Sequence, residues 1–273
     1  MTFKHLVVHV DSSARATERI ELAVRLALAG GARLAGLFAE AQAFGAGLVG
    51  RRAPERMAAA SREACAAFEA RTGAAGLKSE WWPLEPGEDA VLLGQLQVCC
   101  RYADLAVFGQ HQADQSRLPE GAVEQVIFNG GRPVLVVPYA GRFPSIGRNV
   151  LVGWNGSREA ARALNDALPL LATAESVLLL AFQRAAHPES GGLPPLDVVA
   201  HLSAHGVRAT YLPIIIDPES LDAADAMLNH AFDGGCDLIV TSAHAHGGLP
   251  GPRAAASTRK LLATMTAPVL FSC

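Results

Sequence analysis

Short apolar runs of five to seven residues recur along the chain, each followed by a longer stretch whose apolar positions repeat at helical spacing. In the first half this pattern predicts strands over residues 4–10, 33–39, 77–83, 104–109 and 133–137. Helices are predicted between them, over 14–29, 53–72, 88–101 and 119–129. The second half predicts strands over 149–154, 176–182, 207–215, 237–242 and 268–272, with helices over 157–172, 194–205, 218–234 and 253–263. Short apolar strands that alternate with helices imply a parallel sheet buried on both faces, an α/β doubly wound architecture.

The order of landmarks repeats. HLVVHVDSS at 5–13 matches NVLVGWNGS at 149–157, and LAGLF at 34–38 matches LLLAF at 178–182. Further on, ADLAVFG at 103–109 matches CDLIVTS at 236–242, and RPVLVV at 132–137 matches APVLFS at 267–272. Two copies of one unit explain this better than one large domain. The segment 138–147 is rich in Pro and Gly and reads as the linker, which gives domains 1–140 and 147–273.

Composition narrows the function classes. Half of the 273 residues are hydrophobic and 18% are charged, enough to bury a sizeable core. The net charge of −3 is spread without a basic stripe or polybasic cluster, which argues against nucleic acid and anionic membranes as partners. No uninterrupted apolar run reaches the ~18–20 residues of a spanning helix. Met1–Val10 lacks the pattern of a signal peptide. Five cysteines with no C-x-x-C spacing fit a reducing compartment. The expected location is the cytoplasm.

Three features carry a family resemblance. One is the opening of an apolar strand, Asp or Asn, then small polar residues: Val10, Asp11, Ser12 and Ser13, and again Trp154, Asn155, Gly156 and Ser157. The second is the pair DLAVFG at 104–109 and DLIVTS at 237–242, and the third is the closing Pro-Val-Leu strand. This ordered set, found twice over nearly the whole chain, resembles the universal stress proteins, in particular the tandem bacterial kind. The resemblance implies two five-stranded parallel sheets of order 3-2-1-4-5. It also implies that the last strands, near Val134–Val137 and Val269–Ser272, join the halves as an internal pseudo-dimer, and it allows a homodimer. The function it implies is a stress-response regulator or scaffold with unidentified protein partners rather than an enzyme, with a slow nucleotide hydrolase as the rival reading. No catalytic residue is assigned and no cofactor is required.

Many members of that family bind ATP or AMP at the carboxyl ends of the strands, through a carboxylate after the first strand and the loop pattern G-x2-G-x9-G-[ST] after the fourth. The residues that fall on those positions are Asp11, Ser12, Gly109 and Gly121 in the first copy. In the second they are Asn155, Gly156, Ser242, His244, Ser257 and Thr258. Both loops depart from the pattern. Gln112 stands at the second glycine and Ala122 lacks the hydroxyl, while Asp114 and Glu120 add negative charge. In the second copy Ser242 and Ala245 replace glycines, Ala255 and Ala256 replace the closing pair, and Asn155 replaces the Asp. A Cβ at such positions hinders the close backbone approach that a phosphate needs. Arg253, Arg259 and Lys260 supply positive charge near the predicted helix start, so an adenine nucleotide in the second crevice is the alternative reading.

Other groups have simpler readings. His244 and His246 form a His-x-His pair, and His201 and His205 lie four apart on a helix, but nothing brings the two pairs together, so no metal site is assigned. Ser157 sits where a helix N-cap belongs and lacks a nucleophile elbow. Asp11 is also placed to cap a helix. Trp81 and Trp82 should point to opposite faces of their strand.

Overall fold

The computed structural model describes residues 2–41, 54–85, 88–113, 115–184, 197–216, 222–243 and 253–273. The chain divides into two compact units, Thr2–Pro144 and Ser145–Cys273. The first contains β1 (His5–Val10), α1 (Ala16–Gly30), β2 (Arg33–Phe38), α2 (Pro54–Ala74) and β3 (Ser79–Pro83). It continues with α3 (Asp89–Cys100), β4 (Leu105–Gly109), α4 (Ala122–Asn129) and β5 (Val134–Val137). The second contains β6 (Asn149–Trp154), α5 (Arg158–Leu171), β7 (Ser176–Arg184), α6 (Val198–Ala204) and β8 (Ala209–Ile216). After these come α7 (Ala223–Asp233), β9 (Leu238–Ser242), α8 (Arg253–Thr264) and β10 (Val269–Ser272).

Within the first unit the strands lie in the order β3-β2-β1-β4-β5, all parallel. Within the second the order is β8-β7-β6-β9-β10, again all parallel. Each is the 3-2-1-4-5 order of a doubly wound sheet, with its first and fourth strands adjacent at the centre. Every residue of β1 and of β5 is buried, as expected of strands covered on both faces. In the first unit α1 packs with α2 and α3 with α4, and α1 also lies on β1, β2 and β4. Leu6, Leu34, Leu105, Phe108, Ile20 and Phe68 form the centre of that core. Among the described residues no helix is long and apolar enough to cross a membrane.

The repeated Asp-Leu pair has a structural duty. Asp104, just before β4, accepts hydrogen bonds on Oδ2 from the backbone N–H of Lys4 (2.7 Å) and His5 (3.0 Å). Asp237, just before β9, accepts on Oδ1 from the N–H of Gly147, Arg148 and Asn149 at 3.0–3.1 Å. In both units the carboxylate ties the start of the fourth strand to the start of the first. It satisfies donors that the adjoining strands leave open.

Trp81 and Trp82 do point to opposite faces. Trp81 packs on Phe68 and Phe38, whereas Trp82 meets His5 edge-on and donates from Nε1 to Glu80. Both are half-buried.

Candidate functional site

In an open parallel sheet the crevice lies beyond the carboxyl ends of the two central strands, where the crossovers diverge. In the first unit that place is lined by His9, Asp11, Arg19, Gly109, Arg117 and Tyr139, among others. The free space in it is about 40 Å³, room for a few water molecules.

Buried charge fills the crevice. Asp11 follows β1 and is only 6% exposed; Arg19, on α1, is 5% exposed. Arg19 NH2 lies 2.8 Å from Asp11 Oδ1, and Arg19 Nε donates to the carbonyl of His9 at 3.2 Å. Asp11 Oδ1 also accepts from the Ser13 N–H (3.1 Å) and the Ser13 hydroxyl (2.5 Å). Burial alone would raise the Asp11 carboxyl. The Arg19 guanidinium, together with His9 and the Ser13 hydrogen bond, outweighs it and holds the group at about 2.

His9 packs flat on Phe108, with ring centroids 5.4 Å apart and an angle of 8°. The two residues sit side by side on β1 and β4. His9 Nε2 donates to the carbonyl of Ala39 at 2.9 Å, and Nδ1 lies 3.9 Å from Asp11 Oδ2. Desolvation lowers the His9 pKa against the opposing pull of Asp11. Glu40 is buried beside this group and accepts the N–H of Ser12.

The loop after β4 is held by its own side chains. Gln110 Oε1 accepts from the Tyr139 N–H (3.1 Å), and Ser116 Oγ accepts from the Gln112 N–H (2.7 Å). The loop closes at Gly121, whose φ of 74° suits glycine and places it as the N-cap of α4. A Cβ on Gly109 would stand 2.7 Å from Arg19 NH1 and 3.2 Å from Arg19 Cδ. A side chain at 109 would therefore have to displace Arg19, which lies across it.

The second unit has the same framework with different contents. Asn155 is exposed after β6, and its Oδ1 accepts from the Ser157 N–H at 3.0 Å. Gly156 has φ 70°. Ser157 is the N-cap of α5 and accepts from the Ala160 N–H at 3.1 Å, as the sequence suggests. At the 144-residue offset that relates β1 to β6, Arg19 corresponds to Ala163, which is buried, and His9 to Gly153. Met227 fills the latter space: a Cβ on Gly153 would be 2.7 Å from its sulfur.

No family model matches this sequence, and no curated protein matches it either. Solved structures do. A universal stress protein from Archaeoglobus fulgidus DSM 4304 superposes with a TM-score of 0.72 at 15% identity, covering 98% of this chain and 95% of that one. The fold is that of the tandem universal stress proteins. A putative universal stress protein from Pseudomonas aeruginosa UCBPP-PA14 matches with a TM-score of 0.60 at 14% identity, covering 99% and 93% of the two chains. A functionally unknown protein from Pseudomonas aeruginosa PAO1 gives 0.61 at 13%, covering 99% and 92%.

On this universal-stress fold the residues singled out from sequence fall into three groups. Asp11 and Gly109 meet in the first crevice, both against Arg19, whereas Ser12 and Gly121 lie outside its lining. Asn155 and Gly156 follow β6, and Ser242 ends β9, the strand beside it. Ser257 and Thr258 sit in the second turn of α8 rather than at its start. Ser257 Oγ donates to Asp222 (3.1 Å), Lys260 pairs with Asp222 (3.3 Å) and Asp225, and Thr258 is buried. These groups are engaged with the start of α7. His244, His246, Asp114 and Ala245 lie outside the described residues, as does the Arg253 side chain.

Asp11 does not cap α1. That helix begins after Arg15, with no side-chain cap, because Asp11 is turned to Arg19. The residues that sequence reasoning missed are Arg19, His9 and Glu40. A signal existed for Arg19: it lies on the buried stripe of α1 with Ala16, Ile20, Ala23 and Ala27, where a cation requires a partner.

Proposed function

We propose that this chain is a non-catalytic regulatory or scaffold protein of the universal stress kind, working in the cytoplasm through protein partners. One observation carries the reading. Asp11, the carboxylate that the family resemblance would give to a nucleoside, has its Oδ1 engaged by Arg19 and Ser13. The first crevice is thus occupied by a charge-compensated pair of the chain's own side chains. The likeness of the whole chain to tandem universal stress structures supports the class.

A second reading has its own support. Among the described residues of the second unit Asn155 and Gly156 are exposed, and Ala163 stands where the first unit has Arg19, so the first helix carries no cation at that offset. Under that reading the chain senses ATP or AMP through the second unit. The test is direct. The protein is purified without added nucleotide and denatured, and the released small molecules are analysed by chromatography and mass. The scaffold reading expects none, and no thermal shift with excess ATP and Mg²⁺. Stoichiometric nucleotide, lost on Asn155→Ala, replaces it with the sensor reading. Steady phosphate release from ATP by the pure protein would refute the non-catalytic assignment.

A further inference from the structure

Arg19 is a long cation folded inward across the crevice of its own unit. Three facts define its position. Its Nε and NH2 engage the His9 carbonyl and the Asp11 carboxylate, the two groups at the carboxyl end of β1. Its Cδ and NH1 cover Gly109, the last residue of β4, where any Cβ would collide with them. At the same offset the second unit carries Ala163 on α5, with Asn155 in place of Asp11.

Doubly wound sheets take ligands at this crevice. A phosphorylated nucleoside there uses open backbone N–H groups to meet its phosphates and a carboxylate to accept from its sugar hydroxyls. Arg19 uses both at once. Its charge is matched by Asp11, so the pair presents no net attraction for an anion, while the side chain fills the space an incoming group would need.

We propose that Arg19 is a built-in occupant of the first crevice, and the residue that decides which unit can hold a phosphorylated nucleoside. The ligand class rests on the nucleotide reading above; the occlusion rests on the first-unit geometry alone.

The experiment makes the first crevice like the second. Asp11→Asn/Arg19→Ala reproduces the Asn155 and Ala163 pair and removes both charges of the ion pair together. A companion, Asp11→Asn/Arg19→Met, removes the same charges but keeps a long side chain over Gly109. In a Trp154→Phe background, fluorescence of Trp81 and Trp82 checks that the first unit is folded. Binding of ATP and of AMP, each with Mg²⁺, is measured by titration calorimetry, and sites per chain are counted.

The Ala variant is expected to bind one more nucleotide per chain than wild type, with at least a tenfold gain in first-unit affinity, and the Met variant none. Three results overturn the proposal: no added site in a folded Ala variant, an equal gain in both variants, or a wild-type site that Asp11→Asn weakens. Wild-type binding that is lost on Asn155→Ala overturns the scaffold reading and leaves the role of Arg19 standing. A folded Ala variant without an added site, in a protein that never carries nucleotide, does the reverse.

Discussion

The sharpest energetic consequence of the first crevice concerns Arg19→Met. The change keeps most of the apolar stem and removes the guanidinium, leaving Asp11 at 6% exposure with no counter-ion. Breaking one side of a buried ion pair costs ~3–5 kcal/mol, because the remaining charge stays desolvated. The pKa of Asp11 gives an independent scale. Its fall from 3.8 to about 2 corresponds to roughly 2 kcal/mol of preference for the ionised form in the folded state. Without Arg19, burial dominates and the folded-state pKa moves above 3.8. The folded variant then binds a proton more readily than the unfolded chain, so its deficit shrinks as pH falls from 7 towards 4.

The assay is urea unfolding at pH 7 and pH 5 in a Trp154→Phe background, so that the two remaining tryptophans, Trp81 and Trp82, report on the first unit. Asp11→Asn/Arg19→Met removes both charges of the pair and is expected to lose no more than ~1–2 kcal/mol, a recovery of about 1–4 kcal/mol relative to Arg19→Met alone. A single variant that loses under ~1 kcal/mol at both pH values, with no recovery in the double, would show that the pair is not desolvated and sink the reasoning.

The remaining predictions test other parts of the frame. Asp237→Ala removes three backbone hydrogen bonds and Asp104→Ala two, so the losses are expected at about 2 and about 1 kcal/mol, read by thermal melting of each variant. An equal loss, or a reversed order, would contradict the clamp. Gly109→Ala drives a Cβ into Arg19 and is expected to cost ~1–3 kcal/mol, mostly recovered when combined with Asp11→Asn/Arg19→Ala; simple additivity would argue against the overlap. In alkali, burial, with a smaller push from Cys99, holds the Cys100 thiol up to about 12 against an ordinary 9.0. The unfolded chain loses that proton first, so stability should fall between pH 9 and pH 12 by up to ~1.4 kcal/mol per unit. Cys100→Ala should flatten that slope in denaturation curves.

The fold was legible because it depends on local pattern. β1 and β6 are short, mostly apolar and buried runs closed by Asp11 and Asn155, and such runs between helices leave little choice but a parallel sheet. Boundaries slipped where a single residue decides them. The helix expected over 119–129 begins only at Ala122, because Gly121 takes a positive φ. The crevice was legible only by position. Asp11 and Gly109 can be placed at strand ends from spacing, but their neighbour there comes from α1, eight residues beyond Asp11 in sequence. Whether an Asp after a strand caps a helix, meets a ligand or neutralises an arginine depends on what the helix turns inward, and Arg19 alone carries that information.

The two copies within the chain separate structural duty from crevice chemistry. Asp104 and Asp237 occupy matching positions and do the same work, tying the first and fourth strands together at their starts. A residue kept at a joint that every such sheet must close needs no ligand to explain it. At the other end of the strands the turn is shared, with the Ser13 and Ser157 N–H groups donating to Asp11 and Asn155, but the neighbouring side chains are not. His9, Asp11 and Arg19 face Gly153, Asn155 and Ala163 at the common offset. The first unit fills this end with a compensated ion pair and a stacked imidazole; the second fills part of it with Met227 and leaves Asn155 exposed. Both solutions support the same sheet, so folding does not dictate the difference. Two sealed cores would make identical variants at Asp11 and Asn155 equivalent in every assay. Two open crevices would have no use for Arg19. On the nucleotide reading proposed above, the unit without the arginine is the one that meets a ligand, and exchanging the two sets of residues, unit for unit, should carry that capacity with them.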